Sequence, residues 1–163
     1  MRFIDEAVIE ISSGDGGNGC LSFRREKFIP KGGPDGGDGG KGGNINFISK
    51  ESLHTLQDFK LKRKYKAQNG RQGKGKNMHG KDGEDTILEV PLGTILINDE
   101  TDELLCDLTK SNQVYTAVTG GKGGLGNARF KTSTNRAPRK ITKGKLGCLL
   151  YTYDAADDRR CVD

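Results

Sequence analysis

The chain has 163 residues and a formal net charge of +5, and its 32% hydrophobic content, with 6% aromatic residues and no tryptophan, allows only a small apolar core. Its 25 glycines would suit a flexible linker, but the apolar residues are clustered and patterned, which excludes a chain disordered throughout. No segment is long enough to cross a bilayer, no secretory leader is visible where Asp5 and Glu6 precede the short run Ala7–Ile11, and Cys20, Cys106, Cys148 and Cys161 never form a C-x-x-C pair, which argues against zinc and for free thiols in a reducing compartment.

In chain order, Ala7, Ile9 and Ile11 alternate as a half-buried strand does. The glycine runs "GDGGNG" and "GGPDGGDGGKGG" follow, separated by the basic "FRREKFIPK" with Arg24, Arg25, Lys27 and Lys31. Ile45 and Phe47 alternate again, and in "ESLHTLQDF" Leu53, Leu56 and Phe59 share one face of a one- or two-turn helix. A third glycine-bearing stretch, "GRQGKGKNMHGKDG", precedes "TILEVPLGTILI" (Thr86–Ile97), whose Pro91 and Gly93 split it into two strands around a bend or bulge. "NDETDE" (Asn98–Glu103) is a hairpin turn into "LLCDL", and "VYTAV" (Val114–Val118) alternates once more. "GGKGGLG" and "GKLG" complete the glycine runs. Short strands joined by turns predict a small barrel or sandwich. Because glycine runs and strands interleave, they predict one domain: a small β-barrel carrying a glycine-rich bundle.

The glycines keep a spacing of three. Gly33, Gly36, Gly39 and Gly42 form one row, with Gly37, Gly40 and Gly43 one step on, and Gly120, Gly123 and Gly126 repeat the register. An α-helix repeats at 3.6 and a strand at 2, whereas a polyproline II helix repeats at about 3 residues per turn. Such helices have no internal hydrogen bonds, so their buried amides need partners in a neighbouring segment, and glycine lets the backbones approach. Gly33, Gly36, Gly39, Gly42, Gly120, Gly123 and Gly126 are therefore expected to be structural. With only 4 prolines and interrupted runs, a globular bundle is expected rather than collagen. Other glycine motifs fail on single residues. "GRQGKGKN" puts Asn77 where a phosphate-binding loop needs Ser or Thr, and Leu21, Lys41 and Leu125 stand where a calcium-binding nonapeptide needs Asp.

Charge is segregated. Lys60–Lys81 includes Arg71, Lys74, Lys76 and Lys81 and no acid, and Arg129–Lys145 includes Arg136, Arg139 and Lys140 and no acid, while Glu84–Asp107 holds eight acids and no base. One end of the molecule is expected to be positive and another part negative. A charge run is most often a solvated surface, but three basic segments beside glycine runs suit a polyanion, and basic loops suit folded RNA. Phe28, Tyr65 and Phe130 are available to stack on bases or to pack in the core. A protein-interaction module, using the acidic stretch and docking another domain or a regulatory partner without RNA contact, is the alternative. No residue is nominated as catalytic and no metal site is assigned: His54 and His79, the only histidines, have no H-E-x-x-H spacing, and no G-x-S-x-G occurs.

"FIDEAVIEISSGDGGNGCLSFRREKFIPKGGPDGGDGGKGGNINF", "VPLGT", "GGKGGLGNARFKTSTNRAPR" and "GKLG", in this order, resemble the amino-terminal domain of the Obg family of ribosome-associated GTPases. The likeness runs from the start of the chain to Gly147. It implies the Obg fold over 1–147, mainly β with polyproline II helices on a small β-barrel. It further implies a bacterial, cytoplasmic protein that binds the large ribosomal subunit near the peptidyl-transferase centre and acts in subunit assembly and in growth or stress control. Carried over, the docking loops correspond to Arg24–Lys31, Arg71–Lys81 and Arg136–Lys140. The family continues into a GTPase domain that binds GTP and Mg²⁺; here "CLLYTYDAADDRRCVD" departs from that pattern. Residues 148–163 are thus set apart as an atypical tail from truncation or fusion, and no nucleotide cofactor is expected for this chain itself.

Overall fold

The computed structural model describes residues 3–25 and 32–157. Strand β1 (Phe3–Ser12) turns Ala7, Ile9 and Ile11 inward, all buried, and leaves Glu6 and Val8 exposed, as the alternation predicts. β2 (Ile45–Lys50) does the same with Ile45 and Phe47, both fully buried. The Thr86–Ile97 stretch forms two strands, β4 (Thr86–Pro91) and β5 (Thr94–Asn98), around a tight turn in which Gly93 takes φ 88°. That angle lies in the region side chains avoid, and the Thr94 hydroxyl closes the turn by donating to the Pro91 carbonyl at 2.6 Å. The turn is a corner, because β4 and β5 belong to different sheets. β6 (Leu104–Leu108) returns antiparallel to β5, and β7 (Val114–Val118) pairs antiparallel with β2.

Two strands escape the hydrophobic pattern. β3 (Lys64–Lys66) is polar and exposed apart from Tyr65, and lies parallel to β1 with Lys64 3.8 Å from Glu10. Lysines on a sheet edge discourage pairing with other chains. β8 (Leu149–Asp157), in the segment set apart as a tail, runs antiparallel between β1 and β5. The sheets are β3-β1-β8-β5-β6 and β4-β2-β7, both mixed. The mainly-β class holds, with the core enclosed between two sheets: Ile9, Ile11, Ile45, Phe47, Val90, Leu96 and Leu108 are at most 1% exposed.

The helix has the expected one to two turns but starts later than the leucine spacing predicts. α1 covers Gln57–Leu61, and Leu53 sits half-buried in the turn before it, while Leu56 and Phe59 are buried. Asp5 of β1 decides the start: its carboxylate accepts the Leu56 N–H and the Thr55 hydroxyl and pairs with Lys60. Phe59 then stands edge-on to Phe47 and Tyr65, with centroids 6.4 and 5.6 Å apart. Such edge-to-face aromatic geometry is favoured.

The glycine runs form a lattice of extended segments, residues 13–20, 36–43, 67–74, 79–84, 120–126 and 142–147, with hydrogen bonds recurring every third residue. Gly14, Gly17 and Cys20 donate to the carbonyls of Gly43, Gly40 and Gly37; those three glycines donate to Gln68, Arg71 and Lys74. Gly39 and Gly42 donate to Gly124 and Gly121, and Gly121, Gly124 and Asn127 return to Gly14, Gly17 and Cys20, all at 2.8–3.1 Å. A Cβ added to Gly36, Gly39, Gly42, Gly120, Gly123 or Gly126 would lie 1.7–2.2 Å from a carbonyl oxygen, where real contacts stay above 3.0 Å. Gly33 departs from its row: a Cβ there would meet only the Lys131 Nζ, at 3.5 Å, among the described residues.

Gly39→Ala should therefore lower unfolding free energy by roughly 3 kcal/mol or more, because rigid backbone cannot yield. Gly33→Ala should be neutral or slightly stabilising, since alanine restricts the unfolded chain. Urea unfolding of both variants checks the contrast. A second expectation concerns Asp154 of β8, which is fully buried with neither carboxylate oxygen hydrogen-bonded. Burial pushes its pKa up to about 8, against a weaker opposing influence of Thr152. The folded state keeps a proton that the unfolded state releases near pH 4, so this contribution is full at low pH and is lost as pH rises toward 8. Asp154→Asn should flatten the decline between pH 5 and pH 8, read from urea midpoints; an unchanged slope would refute the assignment.

Candidate nucleic-acid interface

At the tip of the lattice, three loops are tied to one another by side chains. The first is the hairpin stem where Phe23 pairs with Pro34 and the Arg24 N–H donates to the Gly33 carbonyl at 2.8 Å. The second is the turn between the paired Lys74 and Met78, in which Lys76 and Asn77 adopt positive φ of 62° and 56°. That conformation is costly for a side chain as long as lysine. Asp35 stabilises it: its carboxylate accepts the Lys76 N–H at 3.0 Å and its carbonyl accepts the Asn77 N–H at 2.7 Å. The third loop runs from the short 3-10 helix Asn127–Phe130 to residue 140.

Asn127, fully buried, joins these loops. Its Oδ1 accepts the Gly36 N–H at 2.9 Å, and its Nδ2 donates to the carbonyls of Ser22 at 2.9 Å and Pro138 at 3.2 Å. One turn away, Asp38 accepts the Gly126 N–H at 2.9 Å and pairs with Arg129 at 2.9 Å. Burial raises the Asp38 pKa, but the Gly126 amide, Arg129 and His79 outweigh it and hold the carboxyl below its ordinary value. His79 Nδ1 accepts the Asp38 N–H at 3.0 Å, which gives that histidine a place in the lattice.

Two clefts open on either side of Phe23. One, of about 690 Å³, is lined by Arg24, Arg25 and Lys76 with Asp35, Ser22 and Asn77. The other, of about 490 Å³, is lined by Gly32, Gly33, Lys131, Arg136, Ala137 and Arg139. The Arg139 guanidinium lies 5.7 Å from the Phe23 ring centroid and the Lys140 ammonium 5.0 Å from that of Phe130, both within cation–π range. The structure thus brings together Arg24, Arg25, Lys76, Arg136 and Arg139, with Lys140 beside them, all exposed. Arg71 and Lys81 are also exposed but lie along the bundle, where the Arg71 N–H donates to the Lys81 carbonyl, and Lys74 sits at the base of the second loop. Lys27, Phe28 and Lys31 lie outside the described residues.

Tyr65 is removed from the candidate base-stacking residues: it packs on Phe59 in β3, with the Lys62 ammonium 4.9 Å from its ring centroid, and burial raises its hydroxyl pKa. Lys131, Phe23 and Asn127 were absent from the sequence-derived candidates. Asn127 ends "GGKGGLGN", and an amide closing a glycine run is the signal that marks it. The acids Asp99, Glu100, Asp102 and Glu103 occupy the β5–β6 turn rather than either cleft. Among the described residues, no cluster of three or more His, Cys, Asp or Glu is placed to hold a metal ion, and no helix is long and apolar enough to cross a membrane.

A β-sheet domain whose glycine lattice projects basic loops defines the class of protein. A family model described as GTP1/OBG matches residues 4–151, and the chain belongs to that family. It is 58% identical over 147 residues to the GTPase Obg of Caldanaerobacter subterraneus subsp. tengcongensis, 59% identical over 147 residues to that of Syntrophotalea carbinolica, and 52% identical over 153 residues to that of Orientia tsutsugamushi strain Boryong. These alignments cover 90%, 90% and 94% of the chain but 35%, 41% and 46% of the relatives, so the chain spans between a third and a half of their length.

Asn127→Ala should cost about 3 kcal/mol or more by stranding the Gly36 amide and the carbonyls it serves. It should also speed amide exchange at Ser22 and Gly36 beyond the rest of the lattice. Uniform exchange across the chain would contradict its role as the tie between loops.

Proposed function

We propose that this chain is the RNA-docking domain of an Obg-type GTPase, and that its basic tip meets rRNA of the large ribosomal subunit near the peptidyl-transferase centre. In this reading the extended segments are polyproline II helices, and the lattice is a stiff support that carries the loops into a folded RNA. The parent protein would be a cytoplasmic bacterial GTPase acting in large-subunit assembly and in growth or stress control. GTP and Mg²⁺ would be bound by the remainder of that protein, and its GTPase domain would be this domain's partner within the chain.

The observation that carries the reading is convergence. Segments more than a hundred residues apart in sequence place Arg24, Arg25, Lys76, Lys131, Arg136 and Arg139 around Phe23, with Asp35 the one acid lining either cleft among the described residues. Cations held on braced loops neutralise phosphates and release counterions. The braces are structural: Asp35, Asp38 and Asn127 bond the loops inward and leave the cations outward.

Co-sedimentation with separated large and small ribosomal subunits tests the proposal. Binding should favour the large subunit and weaken by on the order of 10³ between about 50 and 200 mM salt if roughly six phosphates are met. Charge reversal at Arg136, Arg139 and Lys140 together should weaken it further. Salt-insensitive binding to a purified protein, with no affinity for either subunit, would favour the protein-interaction alternative.

A further inference from the structure

We infer that the cleft beside Gly33 receives one unpaired nucleotide of the bound RNA, its phosphate among Lys131, Arg136 and Arg139 and its base passing between Phe23 and the Gly33 backbone. The inference rests on the RNA-docking reading above and specifies the kind of RNA structure that the site takes.

Gly33 is the starting observation. Its neighbours in the three-residue row are glycine because a Cβ would strike a carbonyl oxygen at about 2 Å. Among the described residues a Cβ at Gly33 would meet only the Lys131 Nζ at 3.5 Å, an ordinary contact with the end of a flexible chain, and φ is not in the left-handed range. Neither packing among the described residues nor backbone geometry requires glycine there. What its absent side chain does is leave the cleft wall bare. Glycine at a close approach of backbone to ligand serves that purpose.

The lining agrees. Among the described residues this cleft holds three cations and no carboxylate, and its volume of about 490 Å³ falls in the range of small-ligand sites. Duplex RNA offers phosphates on a convex surface, which cations at a rim can meet without any group entering. A wall kept clear serves a group that inserts. Phe23 supplies a ring, already under the Arg139 guanidinium at 5.7 Å, and unpaired bases stack on aromatic rings and guanidinium planes. A nucleotide, flat at one end and anionic at the other, matches both features.

The test uses this chain and two labelled RNAs of equal length, one single-stranded and one duplex, with binding read by fluorescence anisotropy. Gly33→Val should weaken single-strand binding by roughly tenfold and leave duplex binding within about twofold, the loss expected when one stacked base is excluded. Phe23→Leu, which keeps an apolar group of similar size and removes the ring, should show the same selectivity. Equal affinity of Gly33→Val for the single strand, or equal losses on both RNAs, would overturn the inference. The Arg136, Arg139 and Lys140 charge reversal separates the two levels. If it abolishes binding to both RNAs while Gly33→Val changes nothing, RNA docking stands and the nucleotide cleft falls; if it changes neither, both fall.

Discussion

Everything distinctive in this fold depends on the distance between neighbouring backbones in the glycine lattice. A Cβ on Gly39 would lie 1.9 Å from the Gly17 carbonyl oxygen, and one on Gly42 1.9 Å from that of Gly14. No side chain can stand at such positions, so the segments bond amide to carbonyl and do without an apolar core. The buried apolar residues belong to the strands and to α1, apart from Leu56 at the helix start and Ala67 where β3 enters the lattice. A chain with few hydrophobic residues can thus order many others, because directional hydrogen bonds at a fixed spacing of three replace nonspecific burial.

Spacing also fixes register. Outward amides that lack a backbone partner are met by side chains from the adjacent segment at one constant offset: Asp38 N–H to His79 Nδ1, Lys41 N–H to Asp82 Oδ1 and Asn44 N–H to Asp85 Oδ1, each pair 41 residues apart. A slip of one residue would break the whole series and drive side chains into carbonyls. At the other end the strands run directly into the lattice. Ala67 donates to the Ser12 carbonyl, Ser13 to Cys148 and Thr86 to Asn44, so the sheets anchor it without a hinge of loose loop.

Much of this was legible in the residues, for a reason that differs by element. Strands with an apolar alternation, such as Ala7-Ile9-Ile11, declare themselves because one face must be buried. The glycine rows declare themselves because a period of three belongs to neither an α-helix nor a strand. β3 was hidden because Lys64–Lys66 takes its place through backbone pairing with β1 and not through burial. β8 was hidden because Thr152 and Asp154 occupy inward positions where an apolar residue is expected. α1 was placed too early because Leu53 fits the helical spacing, whereas the start of the helix is set by Asp5, fifty residues away. At the tip, charge marked the loops but not what braces them. Asn127 acts through bonds to Ser22, Gly36 and Pro138, partners that no local pattern brings together.

The same logic gives Gly33 its meaning. In an ordinary loop a glycine carries little information, since flexibility, turn geometry and chance all supply one. In this lattice each glycine of the three-residue rows has a steric cause among the described residues except one, and that one faces a cleft lined by Phe23, Lys131, Arg136 and Arg139. A position free of the constraint that governs its neighbours can hold a small side chain without striking any described residue. That it holds none, beside three cations and an aromatic ring, directs attention from how the tip is built to what it admits.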